Sequence, residues 1–594
     1  PGAILVSAII SLIVAGSFFS SAPASNAYTQ NLWTWFDVGG FRPRIALYLD
    51  PLSLVMMLVV TWVSFLIHWY STEYMNGDEG YSRFFAYMNL FVASMLMLLL
   101  GDNLLLLFLG WEGVGLCSYL LIGFWYTKPE NGRAARKAFY VTRVGDTAMT
   151  IGLFLLFTHL GTLQIQELMH RAQTQWPVGS GLATAAALLL LGGACGKSAQ
   201  LPLQVWLPDA MAGPTPTSAL IHAATMVTAG VYLIARTHVL YILAPAAQMA
   251  VAIVGLATLL LAGFAAMTQS DIKRVLAYST VSQIGYMFLA LGVGAWAAAI
   301  FHFMSHAFFK SLLFLGAGII IESLHHEQDM FKMGGLRKQL PVTFWTFLIA
   351  GCSLAGLPLI TAGFYSKGLI IWGARVGANG STGLWFFAVI GVLLTSIYTF
   401  RMIFLTFFGE AKTHVAKKPG WAMKIPCIIL AVLSIIGGFI YTPEGLGHVQ
   451  VFGNFLDRSL PSMVEVHAAM GELTSEAWVT LAFIIGLVIA YYLFFARREW
   501  AAALTRPAIS QALHRFWFSD WGMDWLYDKV FVQPVLLFAR VNKGDFIDGI
   551  YTGIAEITRF FWRGFQATET GRVRWYAAAV VIGSVIFVAI ALFL

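Results

Sequence analysis

The chain has 594 residues, of which 59% are apolar and 11% charged, with a formal net charge of +7. Soluble domains carry about 25% charged residues, so water is excluded as the main solvent. The Lys and Arg residues fall mainly in short loops between apolar runs rather than along a basic stripe, which argues against nucleic acid as a partner.

Apolar runs of about 20 residues recur along the chain, each long enough to cross a bilayer, and they predict an all-α polytopic membrane protein of about fifteen transmembrane helices. In chain order the expected spans are 1–21, 52–70, 84–100, 103–126, 138–160, 183–212, 217–238, 244–268, 272–293, 296–321, 342–374, 384–408, 425–441, 477–496 and 576–594. The chain opens on Pro1 rather than Met, and a further membrane helix is expected to precede it.

Basic residues cluster after the even-numbered spans, as Lys128, Arg133, Arg136 and Lys137, then Lys332, Arg337 and Lys338, then Lys412, Lys417 and Lys418. Those loops are expected to be cytoplasmic, with the first residue inside and the last outside.

The sixth and eleventh spans are longer than a bilayer requires. Each contains a proline in a related pentapeptide, AQLPL at 199–203 and AGLPL at 355–359. Proline lacks a backbone donor, and freed polar backbone is tolerated at membrane depth only where it faces protein or a water-filled cavity. Two broken helices are therefore expected, within two five-helix repeats of inverted topology formed by spans three to seven and eight to twelve. The chain then divides into membrane helices at 1–83, repeats at 84–238 and 239–408, and further helices at 409–500. An amphipathic segment at 501–572 and an anchoring span at 573–594 follow.

Between residues 507 and 568 the pattern turns amphipathic, with Phe546, Ile550, Ile554, Ile557 and Phe561 on one face and Asp548, Glu556, Arg559 and Arg563 on the other. Sixty helical residues would reach about 90 Å, too far to be a span, so a helix lying on the cytoplasmic surface is expected, with breaks at Pro534 and Gly544. The alternative is a folded-back helical hairpin or an ordinary peripheral loop.

A charge at the bilayer centre costs about 2.5–3.5 kcal/mol, so an ionisable residue there is a functional candidate. Glu112 lies mid-span in GWEGVG at 110–115. Arg143 and Asp146, at i and i+3, are expected to pair on one helix face, either as a structural ion pair or as members of a pathway. Lys197 precedes the first break and Lys367 follows the second, with His222 in the span between the first break and the second repeat. His302, His306 and Lys310 form a stripe with four-residue spacing, although His302 alone could be a packing histidine. Four deep charges on separate helices, Glu112, Lys197, Lys310 and Lys367, are hard to justify by packing.

Other chemistry is poorly supported. GGACGKS at 192–198 has the look of a phosphate-cradling loop, but its spacing would require glycine where Leu191 stands. Cys117, Cys195, Cys352 and Cys427 stand far apart in apolar segments, without metal-ligand spacing. No redox centre is indicated.

Three stretches carry a family resemblance: DNLLLLFLGWEGVGLCSYLLIGF at 102–124, GKSAQLPLQVWLPDAMAGPTPTSALIHAATMVTAGVYLIAR at 196–236, and SDIKRVLAYSTVSQIGYMF at 270–288. With WGMDWLYDKVF at 521–531, the chain resembles, over nearly its whole length, the large antiporter-like membrane subunits of respiratory complex I, the proton-pumping NADH:quinone oxidoreductase. The resemblance implies a first half-channel in which Glu112 pairs with Lys197 and His222 continues the polar axis. It implies a second half with His306, Lys310 and Lys367, releasing toward the periplasm.

It further implies a lateral helix lying along neighbouring antiporter-like subunits, contact with membrane lipids, and a bacterial inner-membrane location. No cofactor is expected on this chain; FMN, iron–sulfur clusters and quinone would sit on other subunits. One departure stands out: many relatives carry an acidic residue directly after the equivalent of Lys367, where this chain has Gly368. The competing classes are a large subunit of a multisubunit Na⁺/H⁺ antiporter, a membrane-bound hydrogenase-type subunit, and a purely structural arm.

Overall fold

A computed structural model describes residues 1–21, 26–39, 42–466 and 471–593. Among them, twelve helices are long and apolar enough to cross a membrane, and three shorter apolar helices, Gly181–Lys197, Pro341–Ala355 and Trp421–Ile436, fall on the sixth, eleventh and thirteenth expected spans. The last residue of the final expected span, Leu594, lies outside the described residues. The chain divides into two compact units, Pro1–Gly522 and Met523–Leu594.

Polar caps start several helices at the residue where the apolar run begins. Asp50 and Ser53 form a reciprocal capping box on Pro51–Tyr74. Asn103 accepts from Leu106 N at 2.8 Å, and Asp271 accepts from Lys273 N at 2.7 Å and Arg274 N at 3.1 Å. Each cap satisfies amides that would otherwise be orphaned at the helix start.

Three spans, Thr215–Arg236, Ile272–Gly292 and Trp296–Ser323, have their apolar windows entirely buried within the protein. Helices that are hydrophobic all round belong inside a bundle, and these three form the centre of the first unit.

The link between the first two spans holds an antiparallel hairpin, β1 (Tyr28–Thr34) paired with β2 (Arg44–Leu49). It is tied to the bundle where Asp102 N donates to Ala46 O at 3.1 Å and Asn103 Nδ2 donates to Arg44 O at 2.8 Å.

The sixth span stops at Lys197 and continues as irregular backbone to the short turn Asp209–Ala212. The eleventh stops at Ala355, turns at Gly356 with φ 88°, and resumes as Ala362–Val376. A third interruption was not foreseen. Within Thr215–Arg236 the helix widens into a π turn at Leu220–Ala224, and Thr225 leaves the helical region at φ −127°, ψ −106°.

The lateral segment, expected with breaks at Pro534 and Gly544, forms a series of pieces with further interruptions. Ala508–Phe518 belongs to the first unit, where Trp517 stacks on Phe264 with centroids 4.9 Å apart and Gln269 Nε2 donates to Phe518 O at 3.2 Å. The chain kinks where Asp520, Trp521 and Gly522 all take positive φ. In the second unit the helix widens into a π turn at Asp528–Val532 just before Pro534 and continues as Gln533–Val541, so the proline marks a widening of the helix rather than a break. The break at Asn542–Gly544 is present, and the amphipathic helix Phe546–Thr568 follows, capped by the Asp545 side chain.

One buried clamp joins three helices of the first unit. Arg236 donates from both terminal nitrogens to Asp50, at 2.7 and 2.8 Å, and from Nε to the Tyr232 hydroxyl at 3.1 Å, while Tyr232 Oη donates to Leu99 O at 2.6 Å. Asp50→Ala is expected to strand the guanidinium and cost about 3–5 kcal/mol, with Asp50→Ala/Arg236→Leu recovering most of it. Thermal unfolding of the detergent-solubilised protein checks this.

Candidate functional site

The site begins on Leu104–Ile122 and Pro129–Leu160, and its ion pairs differ from the expected ones. Arg143 pairs with Glu112 at 2.7 Å, not with Asp146. Lys197 Nζ donates to Asp146 Oδ2 at 3.2 Å, and Trp111 Nε1 donates to Asp146 Oδ1 at 2.7 Å. The expected Glu112–Lys197 pair is therefore replaced by Lys197–Asp146, although Glu112 still feels the charges of Asp146, Lys197 and Arg143. The physical reason is that Arg143 and Asp146 each find an opposite charge on a neighbouring helix and reach out to it rather than along their own.

Two glycines make this approach possible. A Cβ at Gly115 would meet Lys197 Nζ at 2.6 Å, and one at Gly145 would meet the backbone of Gly196 at 3.0 Å. Lys197 is also the last residue of its helix, where the carbonyl end favours a cation. The two pairs differ in depth: the Lys197 and Asp146 side chains are 1% and 2% exposed, those of Arg143 and Glu112 44% and 22%.

His222 lies in the unforeseen π turn, packed between Trp206 and Phe314 at ring-centroid distances of 6.2 and 5.9 Å. Neither ring nitrogen has a protein hydrogen-bond partner among the described residues. Lys273 and Lys310 both act on it electrostatically. The turn exposes carbonyls to side chains, and His306 Nδ1 donates to Ala223 O at 3.0 Å.

His302, His306 and Lys310 share one face of Trp296–Ser323 and are fully buried. His302 Nδ1 meets the Ser366 hydroxyl at 2.9 Å, one residue before Lys367, and Lys310 Nζ donates to Ser279 Oγ at 2.6 Å. Lys367 Nζ donates to Leu354 O, one of the carbonyls freed where Pro341–Ala355 ends, and stands 5.7 Å over the Tyr286 ring. Lys310 and Lys367 thus bond a hydroxyl and a carbonyl, whereas Lys197 bonds a carboxylate.

Beyond the Asp50–Arg236 clamp, further buried ionic groups escaped the sequence reading, among them Lys273, Arg401 and Glu476. Lys273 is 3% exposed and donates to Met211 O at 2.6 Å and Gly213 O at 2.9 Å. It lines a cavity of about 600 Å³ with Asp209, Arg274, Asn131, Tyr74 and Gln328. Arg401 donates to Gln269 O at 2.8 Å, and Glu476 is 4% exposed. Lys273 and Glu476 stand one or four residues from their helix starts, so they read as ordinary flanking charges; only the three-dimensional packing reveals their burial. Among the described residues no group of three or more His, Cys, Asp or Glu side chains could hold a metal ion.

Residues 101–397 match the family described as "NADH:quinone oxidoreductase/Mrp antiporter, TM", and residues 35–85 match "NADH-Ubiquinone oxidoreductase (complex I), chain 5 N-terminus". The chain is 51% identical over 590 residues to NADH-quinone oxidoreductase subunit L of Escherichia coli (strain K12), covering 99% of this chain and 94% of that one. It is 53% identical over 592 residues to the protein of the same name in Pseudomonas aeruginosa, covering 98% and 93%. Among solved structures it is similar to a chain of the Mrp complex from Dietzia sp. DQ12-45-1b, with a TM-score of 0.69, 27% identity, and coverage of 98% of this chain and 59% of that one.

The depth difference between the two ion pairs has a measurable consequence. Asp146→Asn is expected to destabilise the protein by about 3–5 kcal/mol, with Asp146→Asn/Lys197→Met recovering most of it. Arg143→Gln is expected to cost no more than about 1 kcal/mol. A double-mutant cycle on thermal stability distinguishes them.

Proposed function

The chain belongs to the subunit L family of NADH-quinone oxidoreductases, and from that membership we propose that it is a proton-translocating membrane-arm subunit of the complex. The observation that carries the reading is the row of ionisable groups, spread over several helices, from the partly exposed Glu112/Arg143 pair through the buried Asp146/Lys197 pair and His222 to the buried His306, Lys310 and Lys367. In an apolar bundle each such group is costly, and a row of them is accounted for by proton movement.

Quinone reduction, with the FMN and iron–sulfur chemistry that feeds it, belongs to other subunits in this reading. It reaches the present chain as an electrostatic change near Glu112. Because Arg143 holds Glu112 and Asp146 holds Lys197, a shift at Glu112 is felt at Lys197 through Asp146 and Arg143. A proton leaves the lysine, passes along water by His222 and His306 to Lys310, and reaches Lys367 for release. A lysine bonded to a hydroxyl or a carbonyl is not locked in an ion pair, which suits Lys310 and Lys367 to that step.

The basic loops favour a bacterial inner-membrane orientation with the lateral segment on the cytoplasmic side. The exposed apolar residues of Phe546–Thr568, among them Phe546, Ile550, Ile554 and Phe561, are suited to neighbouring antiporter-like subunits and lipid. The likeness to an Mrp chain supports a second reading, a subunit of a cation/proton antiporter, but near-full-length identity to oxidoreductase subunits favours the first.

Lys310→Ala and Lys197→Ala, in the assembled complex in inverted membrane vesicles, are each expected to lower the protons moved per NADH oxidised. Simultaneous measurement of proton uptake and NADH oxidation checks this, and an unchanged ratio would contradict the proposal.

A further inference from the structure

One buried carboxylate has no place in the row described above. Glu476, in the second turn of Glu472–Tyr491, is 4% exposed, and neither carboxylate oxygen has a hydrogen-bond partner among the described residues. An unsatisfied carboxyl group in an apolar bundle is expensive, and it contributes no bond that would justify it structurally.

Its position is informative. The Glu476 carboxylate fills the space that a side chain at position 368 would take, since a Cβ on Gly368 would overlap both its oxygens. Gly368 directly follows Lys367 in Ala362–Val376, so the carboxylate lies against the backbone of the helix that carries the last lysine of the row.

Glu476 also adjoins an acidic vestibule. Glu472, one helical turn earlier on the same face, lines a cavity of about 480 Å³ together with Glu444, His448, Asp457, Glu465 and Trp372. Trp372, one turn beyond Gly368, donates from Nε1 to Glu465 Oε1 at 3.2 Å, and Glu472 Oε2 accepts from Glu444 N at 3.0 Å. The vestibule is open to solvent at the His448 and Glu444 side chains, which are 59% and 81% exposed. Carboxylates therefore run from solvent inward to Glu472, and one turn deeper to Glu476 beside the Lys367 helix.

We propose that Glu476 is a proton-carrying group that links Lys367 to this acidic vestibule. The proposal rests on the reading of the chain as a proton translocator and adds its terminal relay. The Lys367 amine is turned toward Leu354 O, so transfer runs through water around the helix. The lysine ammonium gives up one proton and becomes the amine, and the Glu476 carboxylate takes that proton as the acid. Release to Glu472 or vestibule water then restores the carboxylate.

The test uses the intact complex in inverted vesicles, with protons moved per NADH oxidised measured beside a Lys367→Ala reference. Glu476→Gln is expected to lower the ratio as far as Lys367→Ala does, and Glu476→Asp to keep most of it. Gly368→Asp/Glu476→Ala, which moves the carboxylate to the other wall of the same gap, is expected to recover at least half of the loss. An unchanged ratio in Glu476→Gln beside a lowered one in Lys367→Ala would overturn the relay and leave the translocation reading standing. Unchanged ratios in both would overturn both. An equal loss in the Gln, Asp and carboxylate-transplant variants would overturn the relay as well, because a carboxylate would then be irrelevant. Should Glu476→Gln fail to assemble, the Asp and transplant variants decide.

Discussion

The desolvation of charge inside an apolar bundle is the constraint on which this structure turns. A buried ionic group is costly unless it finds a partner, and the lysines and arginines of the row use two kinds. Lys197 and Arg143 are held by carboxylates of neighbouring helices, Asp146 and Glu112. Lys273, Lys310 and Lys367 are held by carbonyls or a hydroxyl. The first solution fixes charge in place, and the second leaves the amine able to lose its proton without stranding an anion.

Broken backbone supplies much of the second kind. The carbonyls of Leu354, Ala223, Met211 and Gly213 serve side chains where helices stop, widen or turn and leave them without an intrahelical donor. The first break is also where Gln204 meets Asp520, at 3.3 Å, just before the chain leaves the first unit. The irregular segment at 198–208 also carries Trp206, which packs against His222 of the row.

Much of this was legible in the sequence, for reasons that differ by element. Apolar length reports the spans because hydrocarbon thickness sets it, and proline reports the breaks at 202 and 358 because it removes a donor. The π turn at Leu220–Ala224 carries no such mark, since LIHAA contains neither proline nor glycine. The pairing of Arg143 with Glu112 was misread because i, i+3 spacing says only that two side chains can meet, not that better partners stand on other helices. Glu476 was missed because its burial depends on a gap at a glycine more than a hundred residues away in the chain.

On the proposed reading the chain is a conduit whose charged groups are tied to one another by electrostatics and whose irregular backbone offers carbonyls to buried side chains. The central claim of that reading is that water connects these groups through the interior. A map of the intact complex with resolved waters tests this most directly. The account predicts ordered water linking Lys197 to Lys310 past His222, and Lys310 to Lys367 past His306. Dry apolar packing filling those intervals would contradict it.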